Sequence, residues 1–380
     1  MKSNNHHLLS FSIFFLACAT APQIAFSFPS FRSVLGGCRQ EKLSPETKMS
    51  GTTIPSYDER QVELDSGISM KVTLGLGGGA SNKRSKTTKK KPVLVFLHGS
   101  FHGGWCWTEK FFAHYIDEGY SVIAPCWRGT GGTFAGESVE KVQIQQHVED
   151  LKVLLNKLPS LLSNTTKDDD DVKPVLIAHS FGSLAVMKLL ELHPEYNQQI
   201  SGIVMMCGVP PSGNGKMTMR FLRRSLVASY KITVGFAMKK CLTDTSLCRD
   251  LFFGGPVIVD DHGGAIVDDH GVSDEDVLRY QQYFTRDSKA TIDLFDLAKQ
   301  LPSAVTVEGG KSPFYRELPT ARMVLGARQD FIVDKEGVEE TARYFDVDLP
   351  SFVDSPHDVM LGSQWTHAAH ELDIFLQKNF

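Results

Sequence analysis

The chain has 380 residues, which is enough for one large domain or two ordinary ones. Hydrophobic residues make up 42% and charged residues 22%, and the net charge of −4 gives no general attraction to nucleic acid or to anionic membranes. We therefore expect no nucleic-acid partner. After residue 30 no apolar run is long enough to span a bilayer, so no transmembrane segment is expected in the mature chain.

The first 27 residues have the features of a signal peptide. Lys2 supplies positive charge, a short apolar core follows, and small residues stand at the spacing that a signal peptidase needs. Residues 28–52 contain Ser, Arg and Lys without a hydrophobic period, which predicts a transit peptide or a disordered linker. The junction AFSFP at 25–29 resembles the bipartite plastid presequence of diatoms and related algae. That resemblance implies delivery to a plastid, with secretion or an endomembrane location as the alternative.

The folded region begins with strand patterns. Residues 59–76 alternate between apolar and polar positions and predict a hairpin of two strands. The segment 77–91 is rich in Gly, Ser, Lys and Thr, and we expect a solvated loop there in preference to a contact with an anionic surface. A continuous apolar run at 92–97 predicts a buried strand, which leads into the sequence HGSFHGGWCW at 98–107.

Helix and strand patterns then alternate along the middle of the chain. The expected elements are a helix at 109–118, a strand at 121–125, a helix at 143–158, a strand ending at residue 179 and a strand at 200–207. The acidic run at 168–171 lacks the spacing of a calcium loop, so it is expected to be a solvated loop. Ser180 stands in the sequence AHSFG, between a buried strand and a helix. This is the pattern of a nucleophile elbow, a sharp turn that lifts the serine side chain out of the sheet.

The alternation stops between residues 210 and 319. Met and Phe residues here fit helices, and they would suit the lining of an adaptable apolar pocket: Met217, Met219, Phe221, Phe236 and Met238. The sequence IVDDHG occurs twice, at 258–263 and 266–271. Asp and His at this spacing could bind a metal, but two short copies flanked by Gly favour a loop insertion. One or two amphipathic helices are expected at 274–301.

The strand pattern resumes near the end of the chain. We expect a strand at 322–325, a helix at 334–345, a short strand at 352–353 and a helix at 365–380. Ser180, Asp330 and His357 thus follow the ends of successive strands. Loops at the carboxyl ends of parallel strands meet at one edge of a sheet, so these three side chains are expected to meet there.

These residue types suit one chemistry. A serine hydroxyl becomes a good nucleophile when a base takes its proton, and His357 can be that base. Asp330 can hold the histidine tautomer and stabilise the imidazolium. Asp334 competes with Asp330 but stands where a helix N-cap is expected, and His367 and His370 compete with His357 but lie on the final helix.

A tetrahedral intermediate also needs two hydrogen-bond donors for its oxyanion. The first candidate is the amide of Phe181, which follows the nucleophile. The second lies in the loop after the 92–97 strand, where we favour the Ser100 amide, with Phe101 as the neighbouring candidate. His102 is expected to be structural, its ring bound by a backbone group of the loop.

From about residue 66 onward the chain resembles α/β-hydrolases of the plant and algal type. The resemblance rests on HGSFHGGW at 98–105, AHSFG at 178–182, GARQD at 326–330 and SPHD at 355–358. It departs in Ala178, which replaces the usual first glycine of the elbow, and in the duplicated loop. It implies the α/β-hydrolase fold, a mostly parallel central sheet flanked by helices, with a mainly helical cap inserted after the sixth strand. The implied core spans 53–210 and 320–380, and the implied cap spans 211–319.

The resemblance implies a serine hydrolase that cleaves a carboxylic ester with an apolar acyl or alcohol group, as in a lipid or pigment ester. Transient contact with a membrane surface is compatible with such a substrate. Hydroxynitrile lyases share the HGxxHGxW pattern but depend on a cap lysine, which the sequence does not place among Lys216, Lys231, Lys239 and Lys240. Epoxide hydrolases and haloalkane dehalogenases of this fold carry Asp at the elbow. A ligand receptor with an intact triad is the alternative outside catalysis.

No cofactor or metal is expected. The seven cysteines show neither CxxC pairs nor metal-ligand spacing. Cys241 and Cys248 are close enough in sequence to form a disulfide, although reduced thiols are expected if the protein works in a reducing compartment.

Overall fold

The structure is a computed structural model that describes residues 57–77, 91–162, 173–225, 227, 230–254, 258–259, 265–266, 272–362 and 364–380. Residues 54–380 form one compact unit. The predicted presequence, the acidic run at 168–171 and the Asp and His residues of the duplicated sequence lie outside the described residues, so those predictions stay untested.

An eight-stranded sheet forms the centre of the protein. Its strands are Asp58–Glu63 (β1), Ser69–Gly75 (β2), Leu94–Leu97 (β3), Val122–Pro125 (β4), Val175–His179 (β6), Gly202–Met206 (β7), Ala321–Ala327 (β11) and Ser351–Val353 (β12). Their order across the sheet is β1-β2-β4-β3-β6-β7-β11-β12. The first two strands pair antiparallel, β2 is antiparallel to β4, and all further pairs are parallel. The predicted α/β-hydrolase fold with a mostly parallel sheet is confirmed.

The central strands are buried on both faces because their sequences are almost continuously apolar. Helices cover the sheet: Trp105–Thr108 (α1), Phe111–Asp117 (α2), Ile144–Leu162 (α3), Gly182–Leu192 (α4), Lys335–Tyr344 (α9) and Trp365–Asn379 (α10). Asp334 caps α9 by accepting a hydrogen bond from the Gly337 amide, as the sequence predicts.

The cap lies between β7 and β11. Its helices are Asn214–Arg224 (α5), Thr245–Cys248 (α6), Asp274–Arg286 (α7) and Leu294–Lys299 (α8), with π-helical turns at Lys231–Ala237 and Arg249–Phe253 and 3-10 turns at Lys240–Leu242, Pro302–Val305 and Glu308–Gly310. The duplicated sequence supplies a two-strand antiparallel hairpin, Ile258–Val259 (β8) and Ala265–Ile266 (β9). Two further short strands, Lys141–Val142 (β5) and Thr291–Ile292 (β10), pair the cap with the core.

The cap methionines differ in burial. Met217 is buried, but Met219 and Met238 are 47% and 64% exposed. The period of α5 explains part of this difference, because Met217 and Phe221 lie four residues apart on its inner face while Met219 lies on the outer face.

Cys241 and Cys248 are both buried free thiols, so the disulfide considered between them is not formed. Burial raises the pKa of both thiols well above the usual value. Within the described ranges, no helix is long and apolar enough to cross a membrane.

Candidate active site

Ser180 lies in a sharp turn between β6 and α4. Its φ of 52° is in the left-handed region, which non-glycine residues adopt rarely and at a cost of about 1–3 kcal/mol. The turn is held by the Ser180 amide, which donates to Met206 O at 3.2 Å, and by Ser180 O, which accepts from the Val209 amide at 3.0 Å. Gly182 is needed next, because a Cβ there would lie 3.0 Å from the carbonyl oxygens of Leu97 and His98. This is the geometry expected of a nucleophile elbow.

His357 and Asp330 form a buried pair at the same edge of the sheet. His357 Nδ1 donates to Asp330 Oδ2 at 2.8 Å, and both side chains are 1% exposed. The other carboxylate oxygen, Asp330 Oδ1, accepts from the amides of Ile332 and Val333 at 2.7 and 2.8 Å. Asp330 therefore fixes the proton of His357 on Nδ1 and leaves Nε2 as a proton acceptor.

The protonation of His357 is set by opposing effects. Burial by itself lowers its pKa, while the charge and hydrogen bond of Asp330 raise it, and the carboxylate of Asp358 raises it further. The net result is a pKa above the ordinary histidine value of 6.5.

The loops of Ser180 and His357 are joined through His179. His179 Nε2 donates to His357 O at 3.0 Å, and the centroids of the two imidazole rings are 4.7 Å apart. Among the described residues, Ser180 Oγ and His357 form no hydrogen bond with each other. The structure thus brings the three predicted residues to one edge of the sheet, while proton transfer between Ser180 and His357 stays a prediction; such contacts often tighten only when substrate binds.

The loop after β3 runs directly against Ser180. A Cβ on Gly99 would lie 2.7 Å from Ser180 Cβ and 3.2 Å from its Oγ. Two carbonyls of this loop are held by histidine rings: His98 Nδ1 donates to Gly99 O at 2.8 Å, and His102 Nδ1 donates to Ser100 O at 2.7 Å. In a trans peptide the N–H points opposite to the C=O, so the amides of Ser100 and Phe101 point away from those two rings.

Three backbone amides near Ser180 are available to a ligand. Within the described part of the chain, no protein group accepts a hydrogen bond from the amide of Ser100, Phe101 or Phe181. Unpartnered amides beside a nucleophile are the arrangement that stabilises a developing oxyanion. Ser100 and Phe181 stay the predicted donors, and the φ of 67° at Phe101 marks a left-handed turn in this loop.

Gly99→Ala is expected to impair the site without unfolding the protein. The added methyl would lie within contact of Ser180 Cβ and displace the serine or the loop, so kcat/KM on an ester should fall about 100-fold. Gly202→Ala is the matched control. Its new Cβ would make close contacts of 3.2–3.4 Å at the start of β7, whereas the Ser180 turn lies at the other end of that strand. Steady-state kinetics and thermal unfolding of both variants would check this, and equal kinetic losses would contradict the proposed contact.

His98 shows how the loop is fixed. Its Nε2 accepts from the Trp127 amide at 3.1 Å, which leaves the proton on Nδ1 for Gly99 O. Burial lowers the pKa of His98 to about 3, so the ring is neutral and the tautomer is determined by these partners.

The cap reaches the site through aromatic side chains. The ring centroids of Phe236 and Phe101 are 5.3 Å apart, and those of Phe252 and His357 are 6.2 Å apart. Trp105 Nε1 donates to Asp287 Oδ2 at 3.0 Å, which ties the loop after β3 to the cap. The surroundings of Ser180 are therefore apolar and aromatic on the cap side.

The competing acid and bases occupy other places. Asp334 caps α9 and pairs with Arg220 at 2.6 Å, and His367 and His370 are exposed on α10. Sequence reasoning missed two buried members of the site, His179 and Asp358. The two residues directly adjoin Ser180 and His357, and that adjacency was the available signal.

Two sets of potential metal ligands overlap the site, namely His179, His357 and Asp358, and Cys207, Asp330 and His357, with donor atoms within 4.8 Å of one another. Asp330 already holds His357 Nδ1, and burial, followed by the charge of Asp330, raises the pKa of the Cys207 thiol well above its usual value. A neutral thiol is a poor metal ligand, so these sets suit hydrogen bonding better than metal binding. The absence of a metal cofactor stays a prediction.

Known proteins resemble the chain at two levels. The sequence profile described as "Alpha/beta hydrolase family" matches residues 94–370. Methylesterase 1 of Arabidopsis thaliana is 32% identical over 108 residues, which cover 28% of this chain and 36% of that protein. A carbendazim hydrolyzing esterase of Nocardioides sp. is 29% identical over 93 residues, covering 24% of this chain and 33% of that protein. The chain thus matches only about a third of the length of these relatives.

Solved structures share the fold over most of the chain. The esterase RhEst1 from Rhodococcus sp. aligns with a TM-score of 0.54 and 17% identity, covering 85% of this chain and 99% of that one. An epoxide hydrolase from Vigna radiata aligns with a TM-score of 0.53 and 20% identity, covering 87% of this chain and 100% of that one. These likenesses support the fold alone.

Proposed function

Since the chain belongs to the alpha/beta hydrolase family, we propose that it hydrolyses carboxylic esters with Ser180 as nucleophile, His357 as base and Asp330 as the acid that orients the histidine. One observation carries the proposal: the buried Asp330–His357 pair lies at the same sheet edge as a serine held in the left-handed conformation. The esterase names of several relatives support it.

The reaction proceeds in two halves. His357 Nε2 takes the hydroxyl proton of Ser180 while Oγ attacks the ester carbonyl, and the amides of Phe181 and Ser100 donate hydrogen bonds to the oxyanion of the intermediate. His357 then protonates the leaving alcohol, and an acyl-enzyme remains. Water, deprotonated by His357, attacks the acyl carbon, releases the acid and restores Ser180.

The substrate that fits best is an ester with an apolar group. Phe101, Phe236 and Phe252 form the aromatic surroundings on the cap side of the site, and methylesterase is the name of several relatives. The plastid presequence proposed for residues 1–52 would bring the enzyme to acyl lipids and pigment esters, and its cleavage would release a chain that meets such substrates at a membrane surface.

A covalent probe tests the proposal directly. Purified protein from about residue 53 onward would be treated with a fluorophosphonate, digested and analysed by mass spectrometry, and in parallel assayed on p-nitrophenyl and methyl esters of increasing acyl length. We expect one adduct, on the peptide that contains Ser180, and turnover that depends on acyl length. A folded protein that takes no label and hydrolyses no ester would refute the proposal.

The pH dependence follows from the raised pKa of His357. The base must be neutral to accept a proton, so kcat/KM should rise with pH through that pKa, with an acid limb above 6.5. Initial rates on one p-nitrophenyl ester over about pH 5 to 9 would locate the limb. An acid limb with its midpoint below 6.5 would contradict the prediction, because burial would then outweigh Asp330 and Asp358 in setting the pKa of His357.

The lyase alternative has less support. The cap lysine Lys231 lies near the acid loop, with its ammonium 4.9 Å from the Phe331 ring centroid, but it pairs with Asp250 at 2.8 Å. A receptor would bind a ligand without turning it over. The same ester panel separates that alternative, because a receptor would show binding and no acid product.

A further inference from the structure

A second buried histidine–aspartate pair lies beside the first. His102 Nε2 is 2.9 Å from Asp358 Oδ2, and the two side chains are 1% and 0% exposed. The partners are 256 residues apart in sequence, and Asp358 directly follows the proposed base His357. Neither side chain takes part in the proton transfers of the proposed reaction.

The contacts of His102 determine where its protons lie. Nδ1 faces Ser100 O at 2.7 Å, and a carbonyl oxygen can only accept, so Nδ1 carries a proton. Nε2 faces a carboxylate oxygen at hydrogen-bond distance, so a second proton lies between Nε2 and Asp358 Oδ2. Together, the imidazole and the carboxyl group hold one proton more than a neutral imidazole and a carboxylate would. The pair as a whole therefore has no net charge.

The pair connects three parts of the site. His102 holds the carbonyl of Ser100, and through it the direction of the Phe101 amide. The Asp358 amide donates to Phe252 O of the cap at 3.1 Å. The His102 ring also packs on the cap ring of Phe284, with centroids 4.6 Å apart. The loop after β3, the loop of His357 and the cap thus meet at these two residues.

We propose that His102 and Asp358 are positioning residues, which hold the peptide between Ser100 and Phe101, and with it the loop that carries the Ser100 amide, in register with His357, so that the amides of Ser100 and Phe101 face the oxyanion. The proposal rests on the proposed ester hydrolysis. A loop whose carbonyl is held by a charge-assisted hydrogen bond is preorganised, and preorganised donors cost no rearrangement when the oxyanion forms.

Substitutions at the two positions separate positioning from packing. His102→Ala and Asp358→Ala each remove the link, and we expect kcat to fall about 10- to 100-fold with KM nearly unchanged. In Asp358→Asn, the new amide can donate to His102 Nε2, and His102 Nδ1 still donates its proton to Ser100 O. In His102→Asn, the new side-chain amide can donate to the same carbonyl. Both asparagine variants should therefore recover most of the lost kcat.

An inhibitor and a control sharpen the kinetic test. A trifluoromethyl ketone forms a tetrahedral adduct with an oxyanion, so its Ki should rise in the alanine variants by the same factor as kcat/KM falls. Asp150→Ala is the matched control, because it breaks another buried ion pair, with Arg128, whose side chains are 6% and 3% exposed. It should lower the unfolding temperature and leave kcat and Ki unchanged.

Hydrogen exchange measures the loop without relying on activity. The peptide that covers residues 98–107 should exchange faster in Asp358→Ala and stay at the wild-type rate in Asp150→Ala. If the alanine variants do not fold, Asp358→Asn provides the test. It loses the charge-assisted bond, so exchange of the 98–107 peptide should still rise about fivefold.

The outcomes are distinct. The positioning role would be overturned if both Asp358 variants keep wild-type kcat, Ki and hydrogen exchange. It would also be overturned if the variants have a lower unfolding temperature but an unchanged kcat in the folded enzyme. A wild-type protein that hydrolyses no ester would refute the proposed function, and in that case the exchange of residues 98–107 would still decide whether the pair holds the loop.

Discussion

Ser180→Ala is expected to lose nearly all ester hydrolysis and all fluorophosphonate labelling. Removal of the nucleophile of a serine triad lowers kcat by about 10⁶-fold, and the residual rate comes from the oxyanion donors and substrate binding. Alanine tolerates the left-handed conformation about as well as serine does, so the fold should persist. Kinetics on the most reactive ester, with thermal unfolding alongside, would measure both effects.

Ser183→Ala is the matched control for this variant. Ser183 is a buried serine three residues further on, in α4, and its Oγ donates to Ala178 O at a long 3.4 Å. It should keep wild-type kcat and labelling. A Ser180→Ala protein that retains more than about a thousandth of the wild-type rate would place the nucleophile elsewhere.

Asp330→Asn should lower kcat about 10⁴-fold by reversing the tautomer of His357. The amides of Ile332 and Val333 both donate to Oδ1, so they will hold the oxygen of the new amide and turn its NH₂ towards His357. An NH₂ group donates, so His357 Nδ1 must then accept and its proton must move to Nε2. Nε2 can no longer take the proton of Ser180.

The nearby Asp334→Asn variant controls for the loss of a buried carboxylate. Asp334 caps α9 and pairs with Arg220, so its substitution should cost stability and leave kcat near that of the wild type.

Asp330→Asn should also label slowly with the fluorophosphonate, and its KM should change little because the lost interaction acts in the transition state. Similar kcat values for the two variants would show that Asp330 does not orient the base.

The meeting of Ser180, Asp330 and His357 at one sheet edge could be predicted because apolar runs mark where parallel strands end. Ser180, Asp330 and His357 each follow such a run, and the order of the strands places them at one edge. The N-cap role of Asp334 was equally predictable, since it precedes a helical period.

The His102–Asp358 contact could not be predicted in this way. Its partners belong to no common periodic element and are 256 residues apart, so only the folded chain brings them together. The exposure of Met238 escaped prediction for a different reason: apolar identity alone does not say whether a residue just after a π-helical segment faces the core.

The separation of the site residues along the chain also decides when the site comes into existence during synthesis. His179 meets His357 across 178 residues, and Asp330 and His357 follow the last two strands of the sheet. A nascent chain that extends only as far as the cap can form the serine turn, but it contains neither the base nor the acid. Contacts between such distant segments form late in folding because closing long loops costs entropy. Hydrolytic competence should therefore arise in a single step, when β12 docks on β11, and not gradually as the chain emerges.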